Sequence, residues 1–240
     1  MRTAVIVFSM ASLLLTAAQA QQSSVPLFNS IKNTIGSTGS ENDKIISGLK
    51  EALVKGAGLA SDTASRPGGY YLNPEIKIPF PPEAKEMEKK VRSAGMNHQA
   101  DEFIRSMNEA AENAAKASYP IFKNTITKMT VTDGRSIITG SDSAATHYLR
   151  QKAESELREA YTPIVRKSIE EASVARYWTD LATYYNKIPF VKKVNPDLEA
   201  YVTSMALDGL FHLIAEQEAS IRNNPEARTT ELLQEVFGKK

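Results

Sequence analysis

Apolar residues recur every three to four positions along most of this chain, the pattern of helices that each bury one face. The first secure helix begins near Glu41 and carries Ile45, Ile46, Leu49, Ala52, Leu53 and Ala57 until Pro67-Gly68-Gly69 stops it. Tyr70 to Pro82 breaks the pattern. Pro74, Pro79, Pro81 and Pro82 remove backbone donors while Ile76, Ile78 and Phe80 alternate with Lys77 and Pro79, which predicts an extended surface strap with one apolar edge. Helical spacing resumes over Glu83 to Ala94 with Ala84, Met87, Val91 and Ala94, capped by Gly95.

A long alanine-rich helix is predicted from Asn97 to Met129, kinked at Pro120. Thr132 or Asp133 should cap a short helix holding Ile137 and Ile138, closed by Gly140. Ser141 or Asp142 should cap the next, which runs through Tyr148, Leu149, Leu157, Tyr161 and Pro163 to Ile169. Ser173 opens a helix with Trp178, Leu181 and Tyr185. Asn195-Pro196 signals the start of the most regular helix, from Leu198 through Val202, Met205, Leu210, Leu213, Ala215 and Ile221 to Asn223-Asn224-Pro225. A last short helix surrounds Leu232, Leu233, Val236 and Phe237. The expected fold is therefore an all-α single domain of about seven or eight helices with a proline-rich strap after the first. The segments around Pro120 and Pro163 echo one another, but two copies fall short of the repeat number a solenoid needs.

The beginning of the chain reads differently. Met1-Arg2 is followed by an uncharged run through Val5, Ile6, Val7, Phe8, Leu13, Leu14 and Leu15 to Ala18-Gln19-Ala20, the layout of a cleavable secretory signal peptide. The run is short for a membrane anchor, which needs roughly 20 apolar residues. Residues 1–20 are thus expected to be removed, 21–40 to be a flexible entry segment, and 41–240 to be the helical domain. No cysteine occurs anywhere, so a lipid-modified cysteine anchor and disulfides are both excluded, and a core of this size must suffice unaided. The expected destination is the periplasm or the medium, with no membrane span after cleavage. Once Arg2 is removed, basic and acidic residues balance at 28 each. That argues against nucleic acid as a partner, and against attraction to anionic lipid headgroups as the main function.

Candidate chemistry is sparse. Thiolate sites, G-x-S-x-G, phosphate-cradling glycine loops, H-E-x-x-H and calcium loops are all absent, and no cofactor is expected. His98, His147 and His212 are too scattered to suggest a local metal pair. Thr139 to Thr146 is the best candidate loop. Ser141, Asp142, Ser143 and Thr146 gather hydroxyls, a carboxylate and free helix-start amides, an arrangement that can hold an anion, with Arg150 one turn further on as a charged fork. Helix capping alone accounts for the same residue types. Asp208, His212 and Glu216 share a helix face, and Asp208, set among Leu207, Gly209 and Leu210, calls for a partner. Tyr177, Trp178, Tyr184 and Tyr185 read either as core or as the lining of an apolar pocket.

Several short stretches are similar to a bacterial exported family catalogued as domain of unknown function 4197. They are Leu49 to Leu53, Asn73-Pro74 with Ile78-Pro79, Gln99-Ala100-Asp101, Ile138-Thr139-Gly140 and Asp142 to Thr146. Ala206 to Phe211, Ile214-Ala215-Glu216, Ile221-Arg222, Asn224-Pro225 and Val236-Phe237-Gly238 complete the resemblance. It implies an exported helical domain and carries over no catalytic residue; Asp142, Thr146 and Asp208 fall inside its motifs. The expected function is non-catalytic: recognition of a small anionic or amphipathic ligand, or of an envelope protein partner. A hydrolase with a carboxylate site built from Asp142, Asp208 and Glu216, and a structural envelope component, are the alternatives.

Overall fold

Helix α1, Glu41–Ser65, buries Ile46, Leu49, Ala52, Leu53, Ala57, Ala60 and Ala64 along one stripe, as its spacing predicts. In the computed structural model, which describes residues 41–171 and 174–224, the chain then turns sharply through Gly68 and Gly69. Gly68 adopts a left-handed φ of 77°. Gly69 lies so close to the end of α1 that a Cβ would sit 2.3 Å from the Thr63 carbonyl oxygen, so only glycine fits.

The strap is extended only in its second half. Residues 70–76 form turns, with the Asn73 side chain accepting from the Glu75 amide at 3.0 Å, as expected of asparagine followed by proline. From Ile76 to Phe80 the alternation is as predicted: Ile76, Ile78 and Phe80 are buried while Lys77 and Pro79 face water. A short 3-10 turn, Pro82–Ala84, leads into α2, Lys85–Ser93. Gly95 ends α2 at φ 87°, its amide donating to Arg92 while Met96 donates to Val91, which closes a Schellman turn.

The predicted long helix is two helices. Helix α3, Asn97–Ala115, and α4, Ser118–Thr127, part at Lys116-Ala117, before Pro120 rather than at it. Pro120 thereby occupies the first turn of α4, where its missing N–H leaves no helical bond unmade. Helix α5, Val131–Thr139, is capped by Thr130 and not by Thr132 or Asp133. Asp133 instead completes a reciprocal capping box: its amide donates to the Thr130 hydroxyl at 3.1 Å and its carboxylate accepts from the Thr130 amide at 2.9 Å.

Helix α6, Ala144–Glu171, continues without interruption past Pro163. Pro163 and Glu159, whose carbonyl loses its donor, are both exposed, so water can satisfy that oxygen. The two prolines of the sequence echo thus stand in unlike settings. Helix α7 is Val174–Asn186, and α8 is Leu198–Asn223. The cap of α8 is Asp197, accepting from the Ala200 amide at 2.9 Å, two residues beyond the expected Asn195. Ser173, Pro225, the last predicted helix and everything before Glu41 lie outside the described residues.

The described residues contain no strand, and the fold is an all-α single domain. Helix α8 is central, packed between α1, α3 and α6, and buries Val202, Ala206, Leu207, Leu210, Phe211, Leu213 and Ile214. Helix α3 is the second axis of the core, touching α1, α6, α7 and α8. Its fully buried Ala110, Ala111, Ala114 and Ala115 let those neighbours come close. Phe80 on the strap, Phe103 on α3 and Trp178 on α7 form an aromatic stack, with centroids 4.9 and 5.3 Å apart.

Two polar side chains of α3 bind the strap. Asn108 accepts from the Ile78 amide at 2.8 Å and donates to the Ile78 carbonyl at 2.9 Å, standing in for a paired strand. One turn on, Glu112 accepts from the amides of Gly68, Tyr70 and Tyr71 at 3.1 to 3.2 Å. From α8 the strap receives a glycine: a Cβ on Gly209 would lie 2.7 Å from the Tyr70 ring and 3.0 Å from Ile76. The space it leaves admits Tyr70, whose hydroxyl donates to the Ala206 carbonyl at 2.6 Å.

Candidate functional site

The turn between α5 and α6 begins at Gly140 as the sequence suggests, but α6 starts at Ala144 and neither the Ser141 nor the Asp142 side chain caps it, because the amides of Ala145 and Thr146 are taken by Glu218. Gly140 ends α5 in extended backbone, where a Cβ would clash with the Ser136 carbonyl oxygen at 2.6 Å. Ser141-Asp142-Ser143 then swing the chain into α6, the Ser141 carbonyl accepting from Ala144 and the Ser143 carbonyl from His147, each at 3.0 Å. The first turn of α6 leaves amides pointing outward, which favours negative charge.

That charge comes from within the chain. The Glu218 carboxylate of α8 accepts from the Ala145 amide at 3.0 Å, the Thr146 amide at 2.8 Å and the Thr146 hydroxyl at 2.7 Å. Arg222, one turn later, forks onto Glu218 through Nε and Nη2 at 2.9 and 2.8 Å and also donates to the Ile137 carbonyl in the last turn of α5 at 3.0 Å. The Glu218 and Arg222 side chains are only 5% and 9% exposed. The carboxylate meets the positive end of α6, while the guanidinium meets the negative end of α5. An adjoining cavity of about 20 Å³ lies among Leu49, Leu53, Ala145 and Ile221, room for about one water molecule.

The candidate residues divide accordingly. Thr146 is buried against Glu218; Ser141, Asp142 and His147 face solvent, and Ser143 is half-buried. Arg150 pairs with Asp208 at 2.9 Å, its guanidinium 4.4 Å above the Phe211 ring. Asp208 therefore has the partner its neighbours demand. The structure brings together Arg150 and Asp208, but not the three carboxylates. Asp208 and Glu216 stand eight residues apart on α8, about 12 Å of helical rise, and Glu216 faces His212 at 3.7 Å. Among the described residues no three His, Asp or Glu side chains form a group suited to a metal ion.

The aromatic set also divides. Trp178 and Tyr185 are core, Tyr177 is half-buried, and Tyr184 is exposed. Tyr184 and Ile188 line an open groove of about 480 Å³ whose other wall is Glu86, Lys89, Lys90 and Ser93 of α2. Asn108, Glu112, Glu218 and Arg222 were not among the sequence candidates. Their signal was positional: Glu218 continues the buried stripe of Leu207, Phe211 and Ile214, and Asn108 and Glu112 interrupt a run of buried alanines.

Buried phenols carry the largest electrostatic perturbations. Burial pushes the Tyr70 hydroxyl well above its ordinary range, reinforced by Tyr161 and the Glu112 carboxylate, and it raises Tyr161 as well. Tyr201, which donates to the Pro79 carbonyl at 3.1 Å, is pushed up to about 12 by burial.

The motifs of the resemblance now have physical work to do. Gly209 admits Tyr70, Ala206 receives its hydroxyl, Asp208 meets Arg150, and Thr146 and Arg222 converge on Glu218. No curated protein and no solved structure matches the chain. The family model described as "Protein of unknown function (DUF4197)" matches residues 39–238, and the chain belongs to that family.

Proposed function

We propose that this is an exported, non-catalytic helical protein that acts by binding an anionic amphipathic partner, and that the groove between α2 and α7 receives it. The groove carries the reading: Lys89 and Lys90 stand opposite the apolar surfaces of Tyr184 and Ile188, the pairing an amphiphile's charged head and apolar body require. It is an open surface groove of about 480 Å³. The turn at Ser141 to Thr146 is not the binding place in this reading, because Glu218 already occupies its amides. Hydrolysis by Asp142, Asp208 and Glu216 has no comparable support, since the latter two are separated along α8 and engaged with Arg150 and His212.

The signal-peptide pattern of residues 1–20 supports export. Among the described residues no helix is long and apolar enough to cross a membrane. The binding reading is tested by thermal shift with monomeric lysophosphatidylglycerol against lysophosphatidylcholine. Stabilisation by the anionic compound alone, lost in Lys89→Gln/Lys90→Gln, is expected. An equal response in the variant removes the groove. Export is tested by fractionating cells and weighing the product, which should begin at Gln21.

A further inference from the structure

The loop joining α7 to α8 contains Lys187-Ile188-Pro189-Phe190-Val191-Lys192-Lys193-Val194, three cations with no acidic residue among them. Ile188, Val191 and Val194 pack against the hydrophobic core. Phe190 does the opposite. It is fully exposed, at 107% of the reference area, on a backbone with φ 64°, the only non-glycine residue at positive φ among those described. Bulky residues avoid that region because Cβ crowds the backbone, so strain is retained where it turns an aromatic ring into water. Strain that leaves a side chain worse solvated points to an external use of that side chain.

We propose that this loop docks the protein onto an anionic phospholipid surface, with Phe190 entering the headgroup boundary and the lysines meeting lipid phosphates. Lys187, Lys192 and Lys193 are all exposed around the protruding ring. Lys89 and Lys90 extend the cationic surface across the groove that Ile188 lines, with Tyr184 between them and the loop. The acidic residues nearby are Glu86 in the groove, Asp180 one turn before Tyr184, and Asp197 at the cap of α8. Lysines therefore outnumber carboxylates around Phe190. A single convex aromatic tip ringed by flexible ammonium groups suits an interface where the ring sits at headgroup depth and the cations need no fixed geometry. An acidic protein partner would instead have to offer a pocket for a strained, protruding side chain. The inference rests on the binding reading above and names the partner as a membrane surface.

The test is co-sedimentation of the processed, full-length exported protein with vesicles of phosphatidylglycerol and phosphatidylcholine, beside vesicles of phosphatidylcholine alone. Binding to the anionic vesicles only, weakened by salt, is expected. Phe190→Ser should weaken it about tenfold or more, since the ring contributes the buried apolar area. Lys187→Gln/Lys192→Gln/Lys193→Gln should weaken it by about fivefold per lysine removed. Both variants alter exposed side chains, and unchanged circular dichroism will confirm their folds. Phe190→Trp gives a direct reading: its emission should shift to the blue on anionic vesicles, against the constant signal of buried Trp178. No vesicle binding, or equal binding by Phe190→Ser, overturns the proposal. Binding of monomeric lysophosphatidylglycerol without vesicle binding also overturns it, while leaving the groove reading intact. Competition by glycerol phosphate as strong as that by vesicles would assign the lysines to a free phosphate and overturn the membrane assignment.

Discussion

The Glu218 carboxylate holds the Thr146 amide at 2.8 Å and the Thr146 hydroxyl at 2.7 Å, joining the end of α8 to the beginning of α6 across 72 residues. This contact turns a helix start that resembles an anion site into an internal joint. It also fixes Arg222 against the end of α5, so one carboxylate organises three helix ends.

Removing that carboxylate should be severe. Glu218→Ala removes the carboxylate that Arg222 forks onto and leaves two amides without their acceptor, and should cost about 3–5 kcal/mol in a denaturant melt. Glu218→Gln keeps one acceptor oxygen and should cost less. In the double variant with Arg222→Ala the loss should be smaller than the two single losses added together.

Asn108 should control the strap locally as well as the overall stability. Asn108→Ala orphans both backbone groups of Ile78 and should cost about 2–3 kcal/mol. Limited trypsin digestion should then cut after exposed Lys77 well before other sites. Equal digestion rates in variant and parent would mean that the strap is held by its apolar contacts alone.

Gly209→Ala puts a methyl group 2.7 Å from the Tyr70 ring and should cost about 1–3 kcal/mol through overpacking. Tyr70→Phe removes the bond to the Ala206 carbonyl and should cost about 1 kcal/mol. Thermal melts of the pair and of their combination measure whether the two sites are coupled, as a shared contact requires.

Stability should have a plateau with two different limbs. On the acid side, hydrogen bonds from the Thr130 hydroxyl and amide hold Asp133 below the usual carboxylate range, and Arg166 does the same for Glu199. Their contributions are present above the unfolded values, about pH 4, and are lost as pH falls through the lower folded values. On the alkaline side, Tyr70, Tyr161 and Tyr201 are raised by burial. The unfolded chain loses these protons first, so stability falls once pH rises above about 10. Melts across pH should show both limbs, and Tyr201→Phe should flatten the alkaline one.

Much of the fold could be read in the sequence because each helix carries its own apolar stripe. Helices α1 and α8, and the alternation from Ile76 to Phe80, follow from spacing alone. Boundaries were less legible where two residues compete for one job. Thr130 and Thr132 both suit a cap, and only the reciprocal bond from Asp133 selects Thr130. Asn195 yields to Asp197, whose side chain accepts from the Ala200 amide. Pro120 suggests a kink at its own position, yet it is tolerated in the first turn of α4, which puts the break earlier. At the candidate turn, residue types announced a place for a negative charge. That Glu218 supplies it depends on the antiparallel packing of α6 on α8, which no local pattern encodes. Phe190 was invisible for the opposite reason: a lone aromatic among apolar neighbours reads as core until the backbone turns it outward.

The strap has a bearing on the order in which the molecule can assemble. The Tyr70 hydroxyl and its acceptor at Ala206 are 136 residues apart, and Tyr201 and its acceptor at Pro79 are 122 apart. A chain emerging from its amino end therefore carries a completed strap sequence long before the helix that locks it exists. Contacts this distant in sequence close slowly, after the local helices have formed. Asn108 and Glu112 of α3 can engage the strap before α8 exists, while the bonds to Ala206 and from Tyr201 must wait for α8 and close in a late step.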